Sequence, residues 1–327
     1  MLTDYWVISL LLAQLCSLSL LTGAVLLSNQ IIKKWSVNHF DELQLQLERR
    51  SYLVGSIVHF VLIFQIASLF MFLNVANHHL TEVIKGAMCA DGVLGVNSYG
   101  KNLLYLKMGA VLLYVVYLFL NYLDNSEPAY PLTPLKYWLI YPIFVLVALD
   151  LIGMVLFFYN IEPDVIATCC SVTFVASGSK GYFSLFASGF TNGWLLLFSL
   201  SGTFLLLVLF ITNRFQWVKL ILGGIFITSA IFSLKYFFVK YIYGLPSHNC
   251  LYDIFWAKHY FIGYLFFGGY YILAASLICL VLLQMFKKRL GNLHPKLMQK
   301  LRWTSFWVTL ILIFIPIAYW WHWDGNL

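Results

Sequence analysis

The sequence predicts an all-α polytopic membrane protein with about eight transmembrane helices and both termini on the extracytoplasmic side. Three observations carry this. Of 327 residues, 61% are hydrophobic and only 10% charged. A soluble domain has about 25% charged residues, so the chain lacks a polar surface to keep it dissolved. The mean hydropathy is +0.84, and 28 Phe, 21 Tyr and 11 Trp fit rings placed at both membrane interfaces.

A spanning helix needs about 20 mostly apolar residues. Eight segments meet that need: 5–28, 52–76, 103–123, 137–160, 193–212, 218–238, 261–286 and 303–321. Only "MLTD" precedes the first, with no basic region, so a retained helix is expected there rather than a cleaved signal peptide. Basic residues set the orientation. The connectors 29–51, 124–136, 213–217 and 287–302, with the residues flanking them, hold thirteen of the twenty Lys and Arg. The connectors 77–102, 161–192 and 239–260 hold five, and Lys107 and Lys235 lie inside helix ends. The first set is expected in the cytoplasm and the second outside, in a bacterial inner membrane. The net charge of +7 reflects this topology. No segment forms the separate basic domain of a nucleic-acid binder, so none is expected as a partner.

The densest basic run, "KKRLGNLHPKLMQKLR", is expected to rest on anionic headgroups. The 29–51 connector is expected to form a short interfacial helix. The whole chain reads as one integral membrane domain. Its possible halves, 1–160 and 161–327, would each begin outside and would match the Cys89 loop with the Cys250 loop.

The chemistry suggested by the sequence lies in the outer connectors. Cys16 and Cys279 fall inside spans, whereas Cys89, Cys169, Cys170 and Cys250 all fall outside, near His78, His79, His248 and His259. An oxidising compartment leads such thiols to pair, bind metal or exchange electrons. A relaxed Cys169–Cys170 bond is disfavoured, because neighbouring Cα atoms lie about 3.8 Å apart and disulfides need at least about 4.4 Å. Pairing with Cys89 or Cys250 would leave one vicinal thiol to attack or resolve. Two plain structural disulfides, stapling the outer loops, are the competing reading. Cys89, Cys169, Cys250, His248 and His259 also make a soft donor set suited to copper, zinc or iron. No finger or C-x-x-C spacing is present.

Thiols above an apolar helical bundle give the chain a plan that resembles the quinone-coupled disulfide-forming membrane enzymes, including the vitamin K epoxide reductases. The resemblance implies a quinone as possible electron acceptor. Those families place a C-x-x-C pair at a helix end and use about half as many spans, so the likeness is one of plan alone.

Inside the bilayer, Asp150 in "VLVALDLIGMVLF" stands at mid-span. A charge there costs about 2.5–3.5 kcal/mol on insertion scales, so it should face the bundle interior and a partner. Gln65 and His59 are the preferred partners, with Lys107 and Lys235 expected to snorkel toward the interface. Two functions follow: an outer-face Cys/His site for thiol electrons or soft metal within a larger membrane complex, or a permease-like subunit that uses Asp150. Phosphate-cradling glycine loops and zinc-protease or serine-hydrolase motifs are absent.

Overall fold

In a computed structural model of the chain, residues 4–35, 42–127, 130–161, 191–212, 215–244, 250–287 and 293–323 are described. Among them there is no strand, and eight helices are long and apolar enough to cross a membrane. Chain contacts divide the fold into two compact units, Met1–Ala167 and Thr168–Leu327.

The first unit is a ring of four long helices. Helix α1 (Tyr5–Lys34) starts at Asp4, whose side chain accepts from the backbone N–H groups of Trp6 and Val7, and it ends on Lys33 and Lys34. An acid at the start and bases at the end both complement the helix dipole. Helix α2 (Glu42–Asn74) runs without a break into a π-helical segment, Val75–His79, and a last turn, α3 (Leu80–Val83). A short α4 (Ala90–Leu94) follows Cys89. Helix α5 (Ser98–Ser126) is capped by Asn97, whose amide also donates to the Phe157 carbonyl at 3.0 Å. After α6 (Thr133–Trp138), α7 (Ile140–Tyr159) completes the unit. Helix α1 packs on α2 and α7, and α5 packs on the same two. Asp4, His79, the Cys89 loop and Tyr159 therefore share one face of the unit, called here the Asp4 face.

Close packing sets the start of α5. A Cβ on Gly100 would meet the Leu94 carbonyl oxygen at 2.5 Å and the Phe157 ring at 2.7 Å. Only glycine lets α4, α5 and α7 approach this closely.

The second unit repeats the ring with α8 (Thr191–Ile211), α9 (Gln216–Ser233), α11 (Ile262–Met285) and α12 (Leu293–Trp323). Helix α9 also continues into a π-helical segment, Leu234–Phe238, then the short α10 (Val239–Tyr243). In each unit the second span thus ends in a π-segment followed by a cysteine-bearing loop. A Cβ on Gly263, early in α11, would meet Ile254 at 2.8 Å and Phe255 at 3.0 Å. This mirrors Gly100 against α4. The second unit is joined by hydroxyl pairs, Ser201–Ser229 at 3.2 Å and Ser276–Ser305 at 2.8 Å, the small-residue contacts usual between membrane helices.

Several expectations change. The 29–51 connector is not a separate interfacial helix over its described part, because α1 extends to Lys34 and α2 already begins at Glu42. Lys136 and Lys219, counted as loop cations, are 2% and 0% exposed. Lys136 is ion-paired to Asp124, and Lys219 donates to the Thr212 carbonyl at the end of α8.

Candidate functional site

Four helices of the first unit each contribute a polar side chain to one point in the membrane interior. Asp150 lies ten residues from the start of α7 and nine from its end, about 14 Å from either. It is 3% exposed. Its Oδ2 accepts from Lys107 Nζ of α5 at 2.7 Å and from Gln14 Nε2 of α1 at 2.6 Å. Gln14 and Gln65 of α2 exchange a reciprocal amide pair at 3.1 and 3.2 Å. Lys107 Nζ also donates to Ser68 Oγ at 3.2 Å and stands 5.6 Å from the centroid of the Phe72 ring. The Lys–Asp pair neutralises both charges locally, which is how a bilayer interior accommodates them. Asp150 Oδ1 is buried and accepts from no described residue.

This corrects the sequence-based pairing. Lys107 does not snorkel, since it is 4% exposed and is the direct partner of Asp150. Gln65 reaches the carboxylate only through Gln14. His59 lines a different cavity, of about 710 Å³, with Glu48, Ser51, Asn121 and Asn125 toward the opposite face. Beside that cavity a second buried pair joins Lys136 Nζ to Asp124 Oδ2 at 2.7 Å. Lys136 also donates to Asn121 at 3.2 Å. Asp124 in addition accepts from the Leu132 N–H and the Thr133 hydroxyl, both at 2.7 Å.

On the Asp4 face, a cavity of about 700 Å³ opens between α1 and α2, lined by residues from Trp6 to Ala13, by Phe64, Ser68 and Met71, and by His78, His79 and Glu82 at its mouth. His79 Nε2 lies 2.7 Å from Asp4 Oδ2, tying the ends of α1 and α2 together. Burial acts to raise the Asp4 carboxyl. The His79 hydrogen bond, the Val7 and Trp6 amides and the His79 charge outweigh it and hold the group below its ordinary value. An Asp lowered in the native state stabilises at every pH above its unfolded value of about 3.9, and that stabilisation is lost as the pH falls through the lower native value. Protection of the Trp6 and Val7 amides, taken relative to their intrinsic exchange rates at each pH, should therefore hold down to about pH 4 and fall in more acid solution. Asp4→Ala, which removes the cap acceptor, should leave both amides poorly protected throughout, whereas Asp4→Asn, which keeps it, should lose the pH dependence.

The predicted thiol residues are distributed as follows. Cys89 is buried at the start of α4, where the following amide, Ala90 N–H, donates to Asn77 of the π-segment at 3.0 Å. Cys250, in the second unit, is buried, and its carbonyl accepts from the Tyr243 hydroxyl at 2.5 Å. Within the same unit its sulfur and an oxygen of buried Asp253 lie within 4.8 Å. The His259 ring lies tilted against Tyr243, at 56° with ring centroids 4.6 Å apart. Cys169, Cys170 and His248 lie outside the described residues.

No family model, curated protein sequence or solved structure matches this chain.

Proposed function

We propose that the chain is a proton-coupled permease or permease-like subunit whose coupling element is the Lys107–Asp150 pair. One observation supports this above the rest. At mid-membrane depth a carboxylate is paired through one oxygen, while the other is buried and unoccupied by any described donor. An ionisable group at that depth is a functional group by default. A proton arriving on Oδ1 cancels the negative charge and removes the counter-ion of Lys107. The ammonium then keeps only neutral acceptors among the described residues, Ser68 Oγ and the carbonyl oxygen Oδ2 of the protonated acid. The two arrangements form a switch that proton binding biases, as coupling requires.

The purified protein, reconstituted in liposomes with a trapped pH dye, should take up protons under an inside-negative potential. Asp150→Asn should lower that flux at least about tenfold, a modest requirement beside the 10²–10⁴-fold that positioned proton carriers supply. The doubly neutral Lys107→Gln/Asp150→Asn chain, which keeps the site uncharged, should fold yet remain inactive. Wild-type flux in either variant would end this reading.

A second reading keeps thiol electrons or a soft metal (copper, iron or zinc) in the cysteine-bearing loops, with further membrane subunits as partners. It is supported by the buried Cys250–Asp253 pair, a thiol and a carboxylate close enough to share an ion. Elemental analysis of purified protein should then find near-stoichiometric metal that Cys250→Ser removes. Metal-free protein whose outer thiols react equally with a membrane-impermeant maleimide before and after reduction would exclude it.

A further inference from the structure

We infer that the cavity between α1 and α2 binds a lipid-soluble quinone, its ring carbonyl accepting from Ser68. This goes beyond the proton-coupled reading, sharing with it the Lys107–Ser68 bond and the depth of Asp150 and adding the cavity and its mouth.

The first is the shape and lining of the cavity. It holds about 700 Å³, within the range of sites that enclose small organic ligands. Most of its wall area is apolar, with Ser9, Ser68 and Asn74 set between the apolar side chains, and Trp6 and Met71 on its rim are 45% and 52% exposed. In a membrane-embedded unit such a rim admits ligands from the lipid.

The second is the donor at its deep end. Ser68 is 3% exposed, and its oxygen accepts from Lys107. Among the described residues nothing accepts the Ser68 proton in return. A hydroxyl whose lone pair is held by a cation is a strengthened donor. It calls for an acceptor oxygen from the ligand. A ligand donor would find no such match.

The third is depth. Ser68 bonds the same ammonium as Asp150, which lies at the middle of a 20-residue span. Phospholipid carbonyls sit at the interfaces, about 15 Å from the midplane of a hydrocarbon core about 30 Å thick. An acceptor oxygen that reaches Ser68 must ride on a molecule that dissolves in the core, as a quinone does. A fatty-acid carboxylate would also bring a second anion toward Asp150.

The fourth is the mouth. Val75, His78 and His79, three of the five residues of the π-segment, line it. Interruptions of this kind concentrate at functional sites. Here the segment places both histidines at the entrance, with His79 anchored by Asp4.

The test uses the full chain in nanodiscs of quinone-free phosphatidylcholine, titrated with decylubiquinone and read by tryptophan fluorescence. Saturable quenching is expected, and the share assigned to Trp6 should vanish in Trp6→Phe. Ser68→Ala should weaken binding about fivefold, the loss of one hydrogen bond of roughly 1 kcal/mol, while Ser68→Thr keeps it. Ala13→Phe should fill the cavity and abolish saturation. Quenching that rises without saturating, that is unchanged by Ala13→Phe, or that oleate produces and decylubiquinone does not, would overturn the inference. A chain that binds quinone but passes no protons would fail only the proton-coupled reading, and the reverse result would fail only this one.

Discussion

Lys107→Met should be among the most destabilising single substitutions in the first unit. Methionine fills similar volume and suits an apolar interior, so the change removes no packing. What it removes is the cation 2.7 Å from Asp150. The carboxylate is then left at mid-membrane depth with Gln14 as its only remaining donor among the described residues. Breaking one side of a buried ion pair costs about 3–5 kcal/mol, because the surviving charge is neither hydrated nor paired. The unfolding midpoint in detergent should fall accordingly.

The informative comparison is the double variant. In Lys107→Met/Asp150→Asn both charges are gone, and the asparagine amide can still bond Gln14. Exchanging a whole buried pair for neutral groups is often without cost, so stability should return close to wild type. The coupling between the two positions should then be strongly non-additive, as expected for groups in direct contact. A single variant as stable as wild type would show that the pair contributes nothing to the fold. A double variant no more stable than the single would show that the stranded charge is not the cause of the loss. This comparison also separates stability from function: the double variant is expected to fold well and to carry no protons.

Hydropathy located all eight spans, because length and apolar content alone decide which helices can cross a bilayer. It did not locate their ends. Helix α2 begins at Glu42, ten residues before the apolar stretch at 52, since "ELQLQLERR" consists of strong helix formers that propagate the helix beyond the lipid. The interior site was half legible. Asp150 stands out by charge, but its partner does not, because closeness to a helix end suggests that Lys107 snorkels whereas its helix face directs it inward. The buried residues of α5 run through Gly100, Leu103, Leu104, Lys107, Ala110, Val111, Tyr114 and Tyr117. That three-to-four-residue stripe holds the lysine squarely on the inward face. Gln14 sits in the same way among Val7, Leu10, Ser17 and Leu21 on α1. The stripe is hard to see from sequence alone, because residues facing lipid and residues facing protein are equally apolar, which leaves no contrast between the two sides of a helix. Polar residues sharing a register are the signal that remains.

The pair at the opposite end of the unit should be at least as sensitive. Asp124 is 0% exposed and satisfies three donors at once: the Lys136 ammonium, the Leu132 amide and the Thr133 hydroxyl, each at 2.7 Å. Two of those donors lie in the turn that starts α6, so the carboxylate fixes where the chain reverses between α5 and α7. Asp124→Ala strands a buried ammonium, which retains Asn121 at 3.2 Å and Asn125 at 3.5 Å as neutral acceptors, and orphans a buried amide as well. The first loss alone is worth about 3–5 kcal/mol, and each unsatisfied donor adds about 1–3 kcal/mol. Asp124→Asn is the sharper probe. Its carbonyl oxygen can still serve the turn, whereas the charge opposite Lys136 is lost. Asp124→Ala should therefore fail to accumulate in membranes, and Asp124→Asn should accumulate with a lowered unfolding midpoint. Adding Lys136→Met to Asp124→Asn should recover part of that loss, since it removes the stranded cation. Full accumulation of Asp124→Ala at wild-type stability would mean that the α5–α7 reversal is held by apolar packing, with Tyr137 and its hydroxyl bonds to Ser51 at 2.6 and 2.8 Å carrying the junction instead.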